Sequence, residues 1–107
     1  MDKQELDKLK EAFHQMYDTF PGPARLIDRN HTVLAANPFA VGKGFAPGVV
    51  CAEIGTPESH RECKFTKMFE TGEPQADLAL GDRIRYWLPV KGHPDLCIHF
   101  AAIMPKC

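Results

Sequence analysis

Two cysteines and a histidine lie close together in the stretch CAEIGTPESHREC, which runs from Cys51 to Cys63. Thiolate and imidazole groups are good ligands for zinc and iron, and two residues three apart, such as His60 and Cys63, can face the same metal from one helix. Cys51, His60 and Cys63 therefore form a candidate metal or cofactor site. A closed tetrahedral site needs a fourth ligand, and Cys97, His99, a water molecule or a residue of another subunit could supply it.

Two other interpretations of these three residues stay open. Lys64 and Lys67 follow Cys63 in the sequence, and nearby positive charge favours the reactive thiolate. Cys63 is therefore a candidate redox-sensing thiol, which could form a bridge with Cys51. The plainer interpretation contains no site: Cys51 packs as a small hydrophobic residue, Cys63 is an inert surface thiol and His60 caps a helix.

The residues around this stretch predict the helix that would position His60 and Cys63. Thr56 is a typical N-cap and Pro57 fits the first helical position, while Gly72 supplies a stop after the helix has run to about residue 70. With about 100° per residue, His60 and Cys63 fall on the side away from the apolar face, which is formed by Phe65, Met68 and Phe69. Cys63 is therefore not an obvious core residue.

Composition and charge restrict the classes of function. The chain has 107 residues, of which 44% are hydrophobic and 25% charged, as expected of one globular domain. Thirteen basic and fourteen acidic residues leave no broad positive surface, which disfavours nucleic acid and anionic membranes as partners. Paired carboxylates, a nucleophile elbow and a phosphate-binding glycine loop are not seen in the sequence, so we expect the protein not to be an enzyme.

The sequence also indicates a compartment. The first ten residues, MDKQELDKLK, lack the apolar core of a signal peptide, and no apolar run approaches the ~20 residues that cross a bilayer. The four cysteines lack the density and spacing of a secreted disulfide scaffold. We therefore expect a cytoplasmic protein without a membrane segment.

An amphipathic helix is predicted over residues 2–20. Asp2 and Glu5 resemble a capping box, and the Pro21-Gly22-Pro23 sequence ends the helix. The apolar stripe has spacings of three and four and consists of Leu6, Leu9, Phe13, Met16 and Phe20. This stripe either packs on its own domain or also joins a homodimer.

The rest of the chain predicts an α+β fold. ARLIDR and TVLAAN form a hairpin around Asn30 and His31, and ADLAL, RIRYWLPV and LCIHFAAIM form later strands, the last two separated by a turn over residues 92–95. Short connections between neighbouring strands imply an antiparallel sheet. The segment 38–55 is rich in Gly, Pro and Ala, and loops of this kind often cover a ligand pocket.

The last strands carry further candidate residues. Cys97 and His99 share one face of their strand, where His99 is either a hydrogen-bonded packing residue or a haem ligand. Arg83, Arg85 and Trp87 also alternate onto one face. They could hold an anionic ligand or a partner's carboxylate, or they could lie on a sheet face that the N-terminal helix or a second subunit covers.

The stretch LIDRNHTVLAANPFA resembles the opening hairpin of a PAS domain. In such hairpins an Asp ends the first strand, here Asp28, an apolar residue lies in the second, here Val33, and an Asn closes it, here Asn37. FETGEPQ, with Glu70-Thr71-Gly72 after the long helix, fits the same family. The resemblance covers about residues 20–105.

The resemblance implies a five-stranded antiparallel sheet flanked by short helices, with a ligand cavity between sheet and helices. It divides the chain into an N-terminal cap helix, 1–20, and a PAS-like domain, 21–107. PAS domains hold haem, flavins, small acids, metals or nothing. A subset from anaerobic sensory proteins has one cysteine followed by a Cys-x-x-Cys pair, and here His60 replaces the first cysteine of that pair.

The resemblance leaves zinc, an iron–sulfur cluster or haem as candidate cofactors. The region NPFAVGKGF lacks the cysteine of a flavin photosensor, and the Cys-x-x-Cys-His motif of c-type haem is absent, so both classes are disfavoured. Two functions follow as hypotheses. The first is a sensory module that binds a small ligand or cofactor, and the second is a ligand-free module for dimerisation or partner docking.

Overall fold

The computed structural model of the chain describes residues 2–50, 64–79 and 81–103. The elements are, in chain order, α1 (Lys3–Tyr17), β1 (Ala24–Asp28), β2 (Val33–Ala36), α2 (Pro38–Gly42), α3 (Phe65–Thr71), β3 (Gln75–Ala79), β4 (Arg83–Val90) and β5 (His93–Ile103). The sequence predicts this order as a helix, two strands, loops and a helix, and then two or three strands.

The strands of this part of the chain form one five-stranded sheet in the spatial order β2-β1-β5-β4-β3. All four neighbouring pairs are antiparallel. Three of these pairs join strands that follow one another in sequence, whereas β1 and β5 come from opposite ends of the domain and meet near the centre of the sheet. The predicted α+β fold, with a five-stranded antiparallel sheet flanked by helices, is confirmed.

The first helix begins where its cap predicts and ends slightly earlier than expected. The side chain of Asp2 accepts a hydrogen bond from the backbone N–H of Glu5 over 2.8 Å, which satisfies one of the unpaired groups at the helix start. The helix ends at Tyr17 and not at residue 20. Phe20 instead donates its N–H to the Tyr17 carbonyl oxygen in a turn that leads into the proline-containing segment.

The β1–β2 turn is built around the carboxylate of Asp28. Its Oδ1 accepts the backbone N–H groups of Asn30 and Thr32 over 2.9 and 3.0 Å. His31 between them has φ of 64°, in the left-handed region that few residues other than glycine adopt. The aspartate that the sequence places at the end of the first strand therefore closes the hairpin through its side chain.

The β4–β5 turn differs from the prediction, which assigned residues 92–95 to it. In the structure β5 already begins at His93, which pairs with Val90. Gly92, with φ of 82°, makes this tight turn possible without steric cost. The register shifts between Pro89 and Val90, and this irregularity takes up the extra residues.

The helix predicted over residues 56–70 does not run without a break through residue 64. The observed α3 begins at Phe65, and Lys64 is its N-cap, with φ of −96° and ψ of 17°. The predicted end is correct: Gly72 has φ of 69° and donates its N–H to the Met68 carbonyl oxygen over 2.8 Å. The predicted start at residues 56–63 lies outside the described residues.

One face of the sheet, which we name the outer face, is covered by α1. Phe13 is buried at 2% exposure and packs with four further buried residues, which are Ala24, Leu26, Ala35 and Leu96. Leu9 and Phe20 pack against this cluster, so most of the α1 stripe contacts its own domain. Met16 differs, because it is 64% exposed.

The opposite face, which we name the inner face, is covered by α2 and α3. Its buried apolar cluster joins residues of the sheet with Ala40 of α2 and with Phe65 and Met68 of α3. The contributions of the sheet are Ile27, Val33, Ala36, Trp87 and Cys97. Helices therefore pack on both faces of the sheet, and the inner face lies in the interior of the domain.

Candidate functional site

A row of polar and aromatic side chains crosses the inner face from strand to strand. Arg25 of β1 lies opposite His99 of β5, His99 lies opposite Trp87 of β4, and Trp87 lies opposite Gln75 of β3. Directly opposite residues in an antiparallel pair point to the same face. The sheet therefore brings four residues that are far apart in sequence into one line beneath α2 and α3.

Trp87 lies at the centre of this row and is fully buried, with 0% exposure. Its ring stacks on that of His99 with centroids 4.6 Å apart and planes 10° from parallel. Its Nε1 has no hydrogen-bond acceptor within the part of the chain that the structure describes. A buried N–H group in this state costs about 1–3 kcal/mol, so Trp87 is an unusual core residue.

His99 is held in one tautomer by the sheet itself. Its Nδ1 lies 2.9 Å from the carbonyl oxygen of Tyr86, and because a carbonyl group only accepts hydrogen bonds, Nδ1 carries the proton. A role of His99 as a haem or metal ligand would therefore have to use Nε2. The side chain is 8% exposed, and its contact with Trp87 and its bond to Tyr86 are those of a packing residue.

Arg25 is a second buried polar residue of the inner face, with 5% exposure. Its Cζ lies 4.1 Å from the centroid of the Phe45 ring, in cation–π geometry. Phe45 belongs to the Gly- and Pro-rich segment that was predicted to cover a pocket. Sequence reasoning missed Arg25, although the alternation in ARLID places it on the same face as Ile27 and could have identified a charge inside a buried strand.

The next row of the inner face contains an ion pair. Arg85 of β4 donates from Nε and from a terminal nitrogen to the two carboxylate oxygens of Asp77 on β3, over 2.8 and 2.6 Å. The two side chains are only 12% and 11% exposed, and the Arg85 guanidinium lies 5.1 Å from the Trp87 ring centroid. Asp77 was not identified from the sequence, because its partner lies on another strand.

The structure corrects one alternative for Arg83, Arg85 and Trp87. The sequence left open that the N-terminal helix covers their face, but α1 packs on the outer face, whereas Trp87 belongs to the cluster under α2 and α3. The reason is the register of β4, in which the odd-numbered residues point inward. The alternatives of an anionic ligand, of a partner's carboxylate and of a second subunit over this face stay predictions.

Cys97 also lies on the inner face, opposite Ile27 on one side and Pro89 on the other. It has 0% exposure and belongs to the apolar cluster. Cys97 and His99 thus share a face, as the alternation predicts. In the described ranges 2–50, 64–79 and 81–103, no group of three or more His, Cys, Asp or Glu side chains is close enough together to hold a metal ion.

Cys51, His60 and Cys63 lie outside the described residues, so their metal, cofactor and thiol roles stay predictions. One argument for them does change. The helical wheel assumed that Cys63 continues the helix of Phe65, but Lys64 is the N-cap of α3. The helical wheel of α3 therefore gives no angular position for Cys63 relative to the apolar face.

A separate pocket of about 240 Å³ opens near the β4–β5 turn. It is walled mainly by apolar residues of α3 and of the turn, among them Met68, Phe69, Pro89 and Pro94. Arg29 lies at this pocket, where it pairs with Asp95 over 2.6 Å. The pocket contains none of the predicted site residues, so the row through Trp87 remains the stronger candidate site.

The fold is similar to that of solved structures, among them the crystal structure of a sensory box sensor histidine kinase from Vibrio cholerae. The TM-score is 0.65 at 9% sequence identity, and the match covers 98% of this chain and 97% of the other chain. No protein-family model matches the sequence, and no curated protein matches it. The similarity supports a sensory box or PAS-like fold, as the sequence predicts. No helix of the described residues is both long and apolar enough to span a bilayer.

Proposed function

We propose that this chain is a non-enzymatic sensory module of the PAS type, which binds a small ligand between the inner face of the sheet and the helices α2 and α3. The observation that carries the proposal is the buried Trp87, whose Nε1 has no acceptor among the described residues. A ligand atom that accepts this hydrogen bond would remove the cost of burying it.

The contrast between the two faces supports this assignment. The buried cluster of the outer face is entirely apolar, as expected where a face serves only packing. The inner face instead buries Arg25 and His99 beside its apolar cluster. Ligand sites are typically apolar with a small number of placed polar groups, and the inner face has this composition.

A route from the ligand to the rest of the protein is present in the described contacts. Ala40 of α2 is fully buried in the inner cluster, and its N–H donates to Oδ1 of Asn37 over 3.0 Å. Nδ2 of Asn37 donates to the carbonyl oxygen of Tyr17 at the end of α1 over 3.0 Å. A ligand that displaces α2 would therefore also change the hydrogen bonds that hold the end of α1.

The chain contains a single tryptophan, so its fluorescence reports on the inner face alone. We expect that a library of small metabolites contains compounds that raise the melting temperature and change the Trp87 emission with the same saturating concentration dependence. Met16→Ala, a change on the exposed side of α1, should leave both responses unchanged. The proposal fails if no compound produces the two responses together.

A second candidate function is a dimerisation module that uses the N-terminal helix. Met16 of α1 is 64% exposed, and Leu78 on the outer face of β3 is 60% exposed, so large apolar side chains remain on this side. We would assign residues 1–20 to the cap helix that joins two copies and residues 21–107 to the PAS-like domain. If Met16→Glu sediments with the same mass as the native chain and as Val41→Glu, a matched change on α2, the dimer hypothesis is wrong.

The metal and thiol roles of Cys51, His60 and Cys63 are a third proposal and rest on the sequence. Zinc or iron at about one atom per chain in protein purified without oxygen would support a metal site, provided that Cys63→Ser loses the metal and Cys107→Ser keeps it. A disulfide between Cys51 and Cys63 that forms under mild oxidation would support the thiol switch instead. Protein that contains no metal and forms no such disulfide would contradict both.

A further inference from the structure

We infer that the free edge of β3 is an interaction surface for a second copy of this chain, and that Lys64 restricts access to it by bonding to a backbone carbonyl group of that edge. The inference is independent of the proposed ligand and of the dimer through the N-terminal helix. It rests on the direction of the backbone groups of β3, on one contact of Lys64 and on the side chains of the strand.

The hydrogen bonds of the sheet show which backbone groups of β3 lie on its edge. In an antiparallel pair, the N–H and C=O groups of one residue point to the same side, and this side alternates along the strand. Ala101 of β5 donates its N–H to the Pro23 carbonyl oxygen just before β1, so the even-numbered residues of β5 bond towards β4. With the observed registers of β5, β4 and β3, the same alternation turns the N–H and C=O groups of Ala76 and Leu78 away from β4.

The two edges of the described sheet differ in what they bond. At β2, Val33 donates its N–H to the Val49 carbonyl oxygen over 2.9 Å and accepts the N–H of Gly48 over 2.8 Å. At β3, the bond found within the described ranges comes from a side chain: Nζ of Lys64 donates to the Ala76 carbonyl oxygen over 3.0 Å. A lysine at an edge strand hinders pairing with another strand. Because this contact is exposed to solvent, breaking it costs little.

The backbone of β3 fits an antiparallel, two-fold pair of strands centred on Ala76. In this register Ala76 lies opposite the same residue of the second copy, and the two exchange N–H···O=C bonds. The N–H of Leu78 would donate to the carbonyl oxygen of Pro74 in the second copy. Pro74 has no N–H to offer, but it lies just before β3, where proline is tolerated. Lys64 must release the Ala76 carbonyl oxygen before this pair can form.

The side chains favour this register over its neighbour. A pair centred on Asp77 would place two carboxylates directly opposite each other, which is destabilising. A pair centred on Ala76 instead places Asp77 opposite Gln75 of the second copy, whose amide group can donate to it. Asp77 accepts two bonds from Arg85, and a carboxylate has about four acceptor positions, so it can accept another. On the outer face, Leu78, which is 60% exposed, would pack on Pro74.

The small size of the surface makes the association weak in the native chain. Two strands of five residues bury far less than the about 1,200 Å² of a stable interface. Lys64→Met keeps the length of the side chain and removes its bond to Ala76. We expect this variant to associate about fivefold or more tightly than the native chain in sedimentation. Lys67→Met removes another exposed charge of α3, three residues later, and should sediment as the native chain does.

Hydrogen exchange of single amides locates the contact. The ¹⁵N-labelled Lys64→Met chain is measured by NMR from about 20 µM to about 1 mM, a range that covers weak association. The N–H groups of Ala76 and Leu78 should exchange about twofold or more slowly at the high concentration, because they bond to the second copy. The N–H of Asp77, which points to β4, is protected at every concentration and should not respond.

Two further variants in the Lys64→Met chain identify the surface. Ala76→Pro removes an edge N–H without removing a bond between β3 and β4, and it should abolish the association. Met16→Glu changes the exposed side of α1 and should leave the association unchanged.

The native mass for Lys64→Met at every concentration, with exchange of Ala76 and Leu78 independent of concentration, would overturn the inference. An association that Met16→Glu abolishes would overturn it too, because α1 would then be the interface. The exchange measurement decides even if Ala76→Pro fails to fold. None of these results depends on whether the inner face binds a ligand.

Discussion

Asn37 donates a hydrogen bond from its side-chain Nδ2 to the carbonyl oxygen of Tyr17 over 3.0 Å, which ties the residue after β2 to the last residue of α1. The same amide nitrogen donates to the Gly22 carbonyl oxygen over 2.9 Å. On its other side, Oδ1 accepts the N–H groups of Ala24 and Ala40 over 3.1 and 3.0 Å. One buried side chain therefore connects α1, β1, β2 and α2.

We expect Asn37→Ala to lower the free energy of unfolding by about 2–4 kcal/mol, because several buried backbone groups lose their partner at once. Urea denaturation measures the loss. Asn37→Asp should not rescue it, since a carboxylate cannot donate to the carbonyl oxygens of Tyr17 and Gly22. Asn30→Ala, in the exposed turn, is the control, and a loss of the same size there would contradict the role of Asn37.

Gly22 approaches the last strand so closely that no side chain fits. A Cβ at this position would clash with the carbonyl oxygen of Ala101 and lie 3.0 Å from the Phe20 ring. Gly22→Ala should therefore destabilise the protein by about 1–3 kcal/mol. At Gly42, in α2, a Cβ would have no atom within 4 Å, so Gly42→Ala should be neutral or stabilising. Equal melting temperatures for the two variants would refute this explanation.

Phe13 anchors α1 on the outer face. Because it is 2% exposed and packs in the cluster with Leu26 and Leu96, Phe13→Ala should cost about 3–5 kcal/mol. Met16→Ala, on the exposed side of the same helix, should change the free energy of unfolding by less than about 0.5 kcal/mol. Chemical denaturation measures both. If Phe13→Ala costs no more than Met16→Ala, α1 is not held on the sheet as described.

The two ion pairs of the described sheet should contribute very differently to stability. The side chains of Asp77 and Arg85 are almost buried, so Asp77→Asn should cost about 2 kcal/mol or more. The pair of Asp95 and Arg29 is exposed to solvent, and Asp95→Asn should cost less than about 1 kcal/mol. Unfolding in 0.1 M and 1 M salt adds a control, because screening weakens the exposed pair much more than the buried one.

Local sequence signals predicted the elements whose ends depend on nearby residues. The cap of Asp2, the hairpin turn after Asp28 and the glycine stop at Gly72 all involve partners within four residues. One prediction was wrong where this condition failed: the turn before β5 was placed too late, because the register shift near Pro89 depends on pairing between strands. The helix predicted to run without a break over residues 56–70 was wrong at residue 64, because Lys64 is the N-cap of α3.

The candidate site was only partly predictable. Trp87, Arg85 and His99 could be assigned to faces of their strands from alternation alone. Alternation alone could not show which face of the sheet lies under α2 and α3 and which face lies under α1. Arg25 and Asp77 were missed because their significance depends on residues 74 and 8 positions away that the sheet places directly opposite them.

The sequence by itself determined the order of the elements, the antiparallel sheet and the resemblance to a PAS domain, because these follow from periodicity, turn residues and short connections. Only the tertiary structure decided that β1 lies beside β5, and hence that Arg25, His99 and Trp87 form one row. The physical reason is that strand register is a long-range property. Strand register brings together side chains that are far apart in the sequence. The residues next to each of them in the sequence do not show which side chain it will contact.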